Sequence, residues 1–176
     1  MTTAVLVFHP HMDSSRINAR LMREAMGHES EGIKVRDEYK VCNGGPIDVA
    51  EEQRYVASCD RIVWQFPMYW YSCPPLLKEW EDEVLTYGWA YGSHGDALRG
   101  KDLMLAVSVG SAADNYRHDG PFGYTVDDLL APFRATANLI GTVYREPFIL
   151  TGVTSGLGDE DLTRAAEQYL LRLSEG

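Results

Sequence analysis

The 176-residue chain predicts a doubly wound α/β sandwich, a parallel sheet with helices on both faces. Three observations predict it. Apolar runs of strand length recur five times, at residues 4–8, 33–37, 62–66, 103–109 and 142–150. Helical patterns separate them. The first, third and fourth runs are nearly continuous in apolar residues, which suits central strands covered on both sides.

The elements follow in order. After the first run, Ile17, Leu21, Ala25 and Met26 share one helical face. The second run leads to a loop at Asn43-Gly44-Gly45-Pro46, and the third breaks at Pro67. Leu76, Leu77, Trp80 and Val84 then share a face, to which Leu85 adds a turn. Residues 88–100 form a glycine-rich loop long enough to have a role at an edge or interface. Beyond the fourth run, Thr125 and Asp128 read as a capping signal ahead of Leu129, Leu130 and Phe133, with Pro132 delaying or bending that helix. Leu162, Ala165, Ala166, Tyr169, Leu170 and Leu173 make the clearest amphipathic helix, opened by Asp159, Glu160 and Asp161 where the helix dipole favours carboxylates. No repeat or linker interrupts the chain, so one domain over residues 1–176 is expected.

Composition narrows the function. A net charge of −10 without a basic cluster argues against nucleic acid as a partner. It does not argue against a phosphorylated cofactor, because backbone N–H groups at a helix start hold phosphate whatever the overall charge. No apolar run approaches the roughly 20 residues of a membrane span. The first residues lack the basic region of a signal peptide, and Cys42, Cys59 and Cys73 show no C-x-x-C spacing, so a cytoplasmic location is expected. Neither a metal-binding His/Cys cluster nor a G-x-S-x-G elbow occurs, and Cys73 has no evident base beside it.

In such a sheet, ligands bind beyond the carboxyl ends of the strands at the topological switch point. With strand order 2-1-3-4-5, the loops after the first, third and fourth strands converge on one crevice. The first carries His9, Ser15, Arg16, Ile17 and Asn18. It has neither a Walker nor a dinucleotide glycine motif. Its Ser-Ser-Arg turn reads as a helix start with free N–H groups from Arg16 to Asn18, and equally as a plain Ser15 N-cap. The second carries Pro67, Met68, Tyr69, Trp70 and Tyr71 before a break at Pro74-Pro75. Three consecutive aromatics cannot all face one core, so some line a surface or a planar ligand. The third carries Ser108, Val109, Gly110 and Ser111, then Tyr116 and His118. Gly110 permits close backbone approach. Tyr116 and His118 read either as a proton-donating pair or as surface residues. His11, His28 and His94 are read as surface positions.

These loops resemble the flavodoxin-like NAD(P)H:quinone oxidoreductases, in the short bacterial branch that includes ancillary subunits of glutathione-gated potassium-efflux systems. The resemblance runs from about residue 4 to about residue 150. It rests on Val-Phe-His9-Pro10 with Ser15 and Asn18, on the block from Asp60 to Trp80 containing Phe-Pro-Met-Tyr-Trp-Tyr-Ser-Cys-Pro-Pro, on Gly88-Trp-Ala-Tyr-Gly92, and on the stretch from Leu129 to Ala137. It implies a flavodoxin-like three-layer sandwich with a five-stranded parallel sheet in the order 2-1-3-4-5. It implies non-covalent FMN, with the phosphate at Ser15–Asn18 beside His9, the ring against residues 67–71, and its other edge covered by residues 108–111. FAD is disfavoured because the chain lacks the C-terminal extension of longer, FAD-binding relatives. The implied activity is two-electron ping-pong transfer from NAD(P)H through the flavin to a quinone, with Tyr116 and His118 as proton donors. Also implied is a homodimer with the active site at the interface, which would account for aromatics near Trp89 and Tyr91. Two other roles stay open: a regulatory ancillary subunit of a potassium-efflux transporter, held at the inner membrane face, and an electron-transfer flavodoxin. One departure stands out. The family's third loop usually reads Thr-Thr-Gly-Gly, whereas here it is Ser108-Val109-Gly110-Ser111, without a hydroxyl at Val109 and with less backbone freedom at Ser111.

Overall fold

In the computed structural model, which describes residues 1–174, the strand order is the predicted one. The final two positions of the expected 1–176 domain lie outside the described residues. The chain runs β1 (Thr3–Val7), α1 (Arg16–Met26), β2 (Ile33–Asp37), α2 (Glu38–Cys42), α3 (Val49–Ala57), β3 (Arg61–Pro67), α4 (Pro75–Val84), β4 (Asp102–Ser108), α5 (Val126–Leu129), α6 (Ala131–Ile140), β5 (Val143–Tyr144), β6 (Phe148–Leu150) and α7 (Asp159–Ser174). Every strand pairing is parallel, in the order β2-β1-β3-β4-β5, with β6 also pairing β4. β1, β3 and β4 are buried along their whole length, as their continuous apolar runs require.

Alternation along these strands sorts the core into two layers. On one face Val5, Val7, Val63, Met104 and Ala106 meet Leu21 and Ala25 of α1 and Ala166 and Tyr169 of α7. On the other, Leu6, Phe8, Ile62, Trp64, Phe66 and Leu105 meet α3, α4 and α6. There Trp64 stands edge-on to Trp80 at 5.8 Å and to Phe133 at 6.1 Å, an arrangement the ring quadrupoles favour.

Four readings are corrected. The fifth run is two short strands, because Pro147 lacks the N–H a continuous ladder needs. Met26 is exposed at the end of α1, and Met22 packs against the core instead. The helix around Pro132 divides: Thr125 and Asp128 form a reciprocal capping box for α5, and Pro132 then sits in the first turn of α6, where its missing N–H costs nothing. Two helices, α2 and α3, fill the stretch between β2 and β3. The glycine-rich loop folds close on itself, since a Cβ at Gly95 would meet the Tyr91 backbone oxygen at 2.1 Å. Among the described residues, no helix is long and apolar enough to cross a membrane.

Candidate flavin site

The carboxyl ends of β1, β3 and β4 are adjacent, and their loops are stitched together at Ser108. The Met68 N–H donates to the Ser108 carbonyl at 2.8 Å, and the Asn18 Nδ2 donates to the Ser108 Oγ at 2.8 Å. One residue of β4 thus touches both other loops.

At the first loop, Ser15 is the N-cap of α1, its Oγ accepting from the Asn18 N–H at 3.1 Å. The expectation of three free N–H groups is therefore corrected: Asn18 is satisfied locally, while Arg16 and Ile17, at the first two helical positions, have no intrahelical acceptor. The Ile17 side chain and the Asn18 amide are buried. The Arg16 guanidinium turns along the surface, donating to the Leu157 carbonyl and to Asp159, each at 2.6 Å. Burial, and then neighbouring His11, push the His9 imidazole below its usual range. Its Nδ1 accepts from the His11 N–H at 3.1 Å, so in the neutral ring the proton sits on Nε2.

The second loop is a tight reversal. Tyr69 and Ser72 exchange both backbone hydrogen bonds, at 3.2 and 2.9 Å, around Trp70 and Tyr71, whose φ angles are +46° and +63°. Two successive left-handed residues define a type I′ turn, ordinarily built from Asn and Gly. Here an aromatic pair takes both positions, and Trp70 is 92% exposed. Both positions therefore carry backbone strain, which burial of the Trp70 ring does not offset.

In the third loop, Val109 points into the core with Val107 and Phe66. Its N–H donates to Leu150 and its carbonyl accepts from Val153. Gly110 rests on the 152–155 segment, where a Cβ would meet Thr154 Oγ1 at 2.8 Å, so the segment sets the height of the loop. Phe122 lies edge-on between Tyr71 at 5.8 Å and Tyr116 at 5.0 Å, joining the second and third loops. Burial, and then Tyr71, hold the Tyr116 phenol above its usual range against a hydrogen bond with Ser111. His118 is turned outward, with its Nε2 3.6 Å from Asp128. The Thr125 hydroxyl and N–H hold the Asp128 carboxyl below its usual range. Tyr116 thus faces the aromatic loop, whereas His118 faces α5. Cys73 is half-buried, and burial raises its thiol, which removes the thiolate a nucleophile needs.

A cavity of ≈ 360 Å³ opens past this turn, between α4 and α6, lined by Cys73, Glu81, Leu85, Phe133 and Leu139. It flanks the crevice and does not include the α1 start. Trp89 and Tyr91 are only half-buried against the core, and Tyr87 is the exposed aromatic of that loop.

A family model described as a flavodoxin-like fold matches residues 1–173. The chain belongs to this flavodoxin-like family. Among its flavodoxin-like relatives is an uncharacterised NAD(P)H oxidoreductase of Bacillus subtilis, 43% identical over 170 residues and covering 97% of this chain and 96% of that protein. The ancillary protein of a glutathione-regulated potassium-efflux system from Klebsiella aerogenes is 40% identical over 169 residues, covering 96% of this chain and 93% of that protein. General stress protein 14 of Treponema denticola, solved in complex with FMN, superposes with a TM-score of 0.93 at 43% identity over 98% of both chains. An NADPH-quinone reductase from P. pentosaceus superposes with a TM-score of 0.86 at 27% identity, covering 100% of this chain and 99% of that one.

Sequence reasoning missed Phe122, Thr154 and Gln65, and read Asp159 and Tyr169 only as parts of an amphipathic helix. Only Gln65 carried a signal: it is a polar residue in an otherwise apolar central strand.

Proposed function

We propose that this chain is an FMN-dependent NAD(P)H:quinone oxidoreductase working by ping-pong two-electron transfer. The observation that carries the reading is the joining of three loops at Ser108, which leaves a helix start, a strained aromatic turn and a glycine loop around one crevice. These parts fit a flavin mononucleotide. Arg16 and Ile17 offer N–H groups and His9 an Nε2–H to the phosphate, with Ser15 and Asn18 shaping the turn. Pro67, Met68, Tyr69, Trp70 and Tyr71 would border the ring. Gly110 and Ser111 would border its other edge through their backbone, with Ser108 and Val109 holding the loop in place, Val109 being engaged on both sides by Leu150 and Val153. Bound flavin supplies the hydride chemistry, taking two electrons from NAD(P)H and passing them to a quinone. The likeness to an FMN-bound structure supports FMN, and the likenesses to an NAD(P)H oxidoreductase and an NADPH-quinone reductase support donor and acceptor.

The chain's own part is positioning and protons. Tyr116 stays a phenol and so keeps a proton to donate beside the aromatic turn. Asp128 lies 3.6 Å from His118 Nε2 and would orient its imidazole. The exposed Trp70, Tyr71 and Tyr87 are apolar surface that a second copy would cover, which supports a homodimer with the site at its interface.

Reconstitution with FMN followed by initial rates with NADPH and menadione tests the reading. Parallel double-reciprocal lines are expected, whereas intersecting lines would contradict ping-pong transfer. In a Tyr116→Phe, His118→Phe double variant, turnover should drop about 10²-fold with FMN still bound. Unchanged turnover would remove both residues from the proton path.

The similarity to a potassium-efflux ancillary protein favours a second role for the same fold, as a regulatory subunit docked on such a transporter. Co-purification of the FMN-loaded protein with a potassium-efflux transporter is the expected result, and no complex in detergent or in membranes would sink that role.

A further inference from the structure

Gln65 lies at the centre of β3 and is fully buried. An amide there is retained only if its donors and its acceptor are satisfied. The Tyr169 hydroxyl of α7 donates to Gln65 Oε1 at 2.9 Å, and Gln65 Nε2 donates to the main-chain carbonyl of Asn18 at 3.0 Å. Asn18 Nδ2 continues the chain to Ser108 Oγ at 2.8 Å. All four residues are at most 3% exposed. The network crosses from the C-terminal helix, through the middle of the sheet, to the first turn of α1 and the last residue of β4. Burial keeps the Tyr169 phenol protonated, so the direction of donation is fixed.

We propose that Tyr169 and Gln65 are positioning residues that set the spacing between the start of α1 and the end of β4. The inference rests on the flavin reading above. One end of the ligand would sit on the α1 N–H groups and the other against residues 108–111. Both are engaged at once only if the two elements are held in register, and Asn18 of α1, bonded to Ser108 of β4, ties the two sides of that gap. Tyr169 and Gln65 are fully buried, so any effect they have on a ligand in the crevice would pass through Asn18. A buried network of this kind would pre-organise the first turn of α1, which lowers the ordering cost of binding.

The test compares FMN with riboflavin, which has the same ring and no phosphate, by quenching of flavin fluorescence. In Tyr169→Phe, which keeps the ring contact with Phe148 at 5.2 Å, the Kd for FMN should rise about tenfold, the equivalent of about one buried hydrogen bond. The Kd for riboflavin should not move, because the ring alone does not span the gap. A second variant, Gln65→Met with Tyr169→Phe, replaces both polar partners by apolar ones, so thermal stability should recover toward wild type while FMN remains weakened. Equal weakening of both ligands in Tyr169→Phe would mean general loosening and would overturn the proposal. So would full recovery of FMN affinity in the double variant, or unchanged affinity in either. If the wild-type protein binds neither ligand, the flavin reading itself fails, an outcome distinct from a wild type that binds FMN and variants that bind it equally well.

Discussion

Glu38 opens α2 fully buried, with neither carboxyl oxygen hydrogen-bonded and the Arg36 Nε 3.5 Å away. Arg36 also pairs with Glu52, which accepts from Trp80 Nε1 at 2.9 Å, and with Glu51. One guanidinium thus faces Glu38 and Glu52 in the interior, with Asp37 and Glu51 at the edge. Burial, and then Glu52, push the Glu38 carboxyl up to about 8 from an ordinary 4.5. Because the folded value lies above the unfolded one, the stabilisation from the neutral acid is complete below pH 4.5 and is lost as pH rises through about 8. The slope is ~1.4 kcal/mol per pH unit. Glu38→Gln, neutral at every pH, should flatten this dependence and leave the protein more stable at pH 8 by on the order of 2 kcal/mol. Denaturant midpoints at pH 5.5 and 8 check it, and parallel wild-type and variant curves would contradict it. The two buried glutamates, Glu38 and Glu52, explain a gap in sequence reading. A helix whose buried positions include Glu52 alongside Val56 does not show apolar periodicity, so α3 was not legible, nor was the five-residue α2 that Glu38 opens.

Two elements separate stability from function. In the Tyr69–Ser72 turn, the left-handed Trp70 and Tyr71 each cost ~1–2 kcal/mol. Trp70 is almost wholly exposed, so its retention is not explained by packing. Trp70→Gly should leave stability unchanged or raise it by up to ~1 kcal/mol, strain relief being partly offset by the flexibility of glycine when unfolded. Quinone turnover should fall at least several-fold. Thermal unfolding and menadione kinetics on one preparation check both, and a loss of stability with full turnover would reverse the assignment. At the opposite end of β3, Arg61 is 3% exposed, donates to Asp102 at 2.9 and 3.2 Å, and caps α7 through the carbonyls of Arg172 and Leu173. Arg61→Met leaves Asp102 with Arg145 alone and should cost ~3 kcal/mol. Seven strand residues at ~3.3 Å each put Arg61 about 20 Å from the crevice, so FMN affinity should not change. A shifted Kd would show that α7 transmits its loosening to the site.

At the scale of the molecule, the sheet was legible because continuous apolar strands dictate the centre, and that centre dictates which loops meet. That the aromatic turn leaves a ring at the surface was legible, because three adjacent rings between prolines have no single core to face, and Trp70 is 92% exposed. What joins those loops was not legible: Tyr169 meets Gln65 across 104 residues, and Phe122 bridges two loops, contacts that local spacing does not encode. At the Val109 departure the side chain faces the core and both backbone groups are engaged, a placement that local sequence does not encode. In the proposed reading, a chain of net charge −10 holds an anionic, planar cofactor through backbone groups gathered at one switch point. The most direct measurement is the visible spectrum of the FMN-reconstituted protein, taken anaerobically before NADPH, after one equivalent of it, and after one equivalent of menadione. The account predicts stoichiometric bleaching of the flavin band by NADPH and its full return with the quinone. A protein that binds no FMN, or binds it and is not bleached, would contradict it.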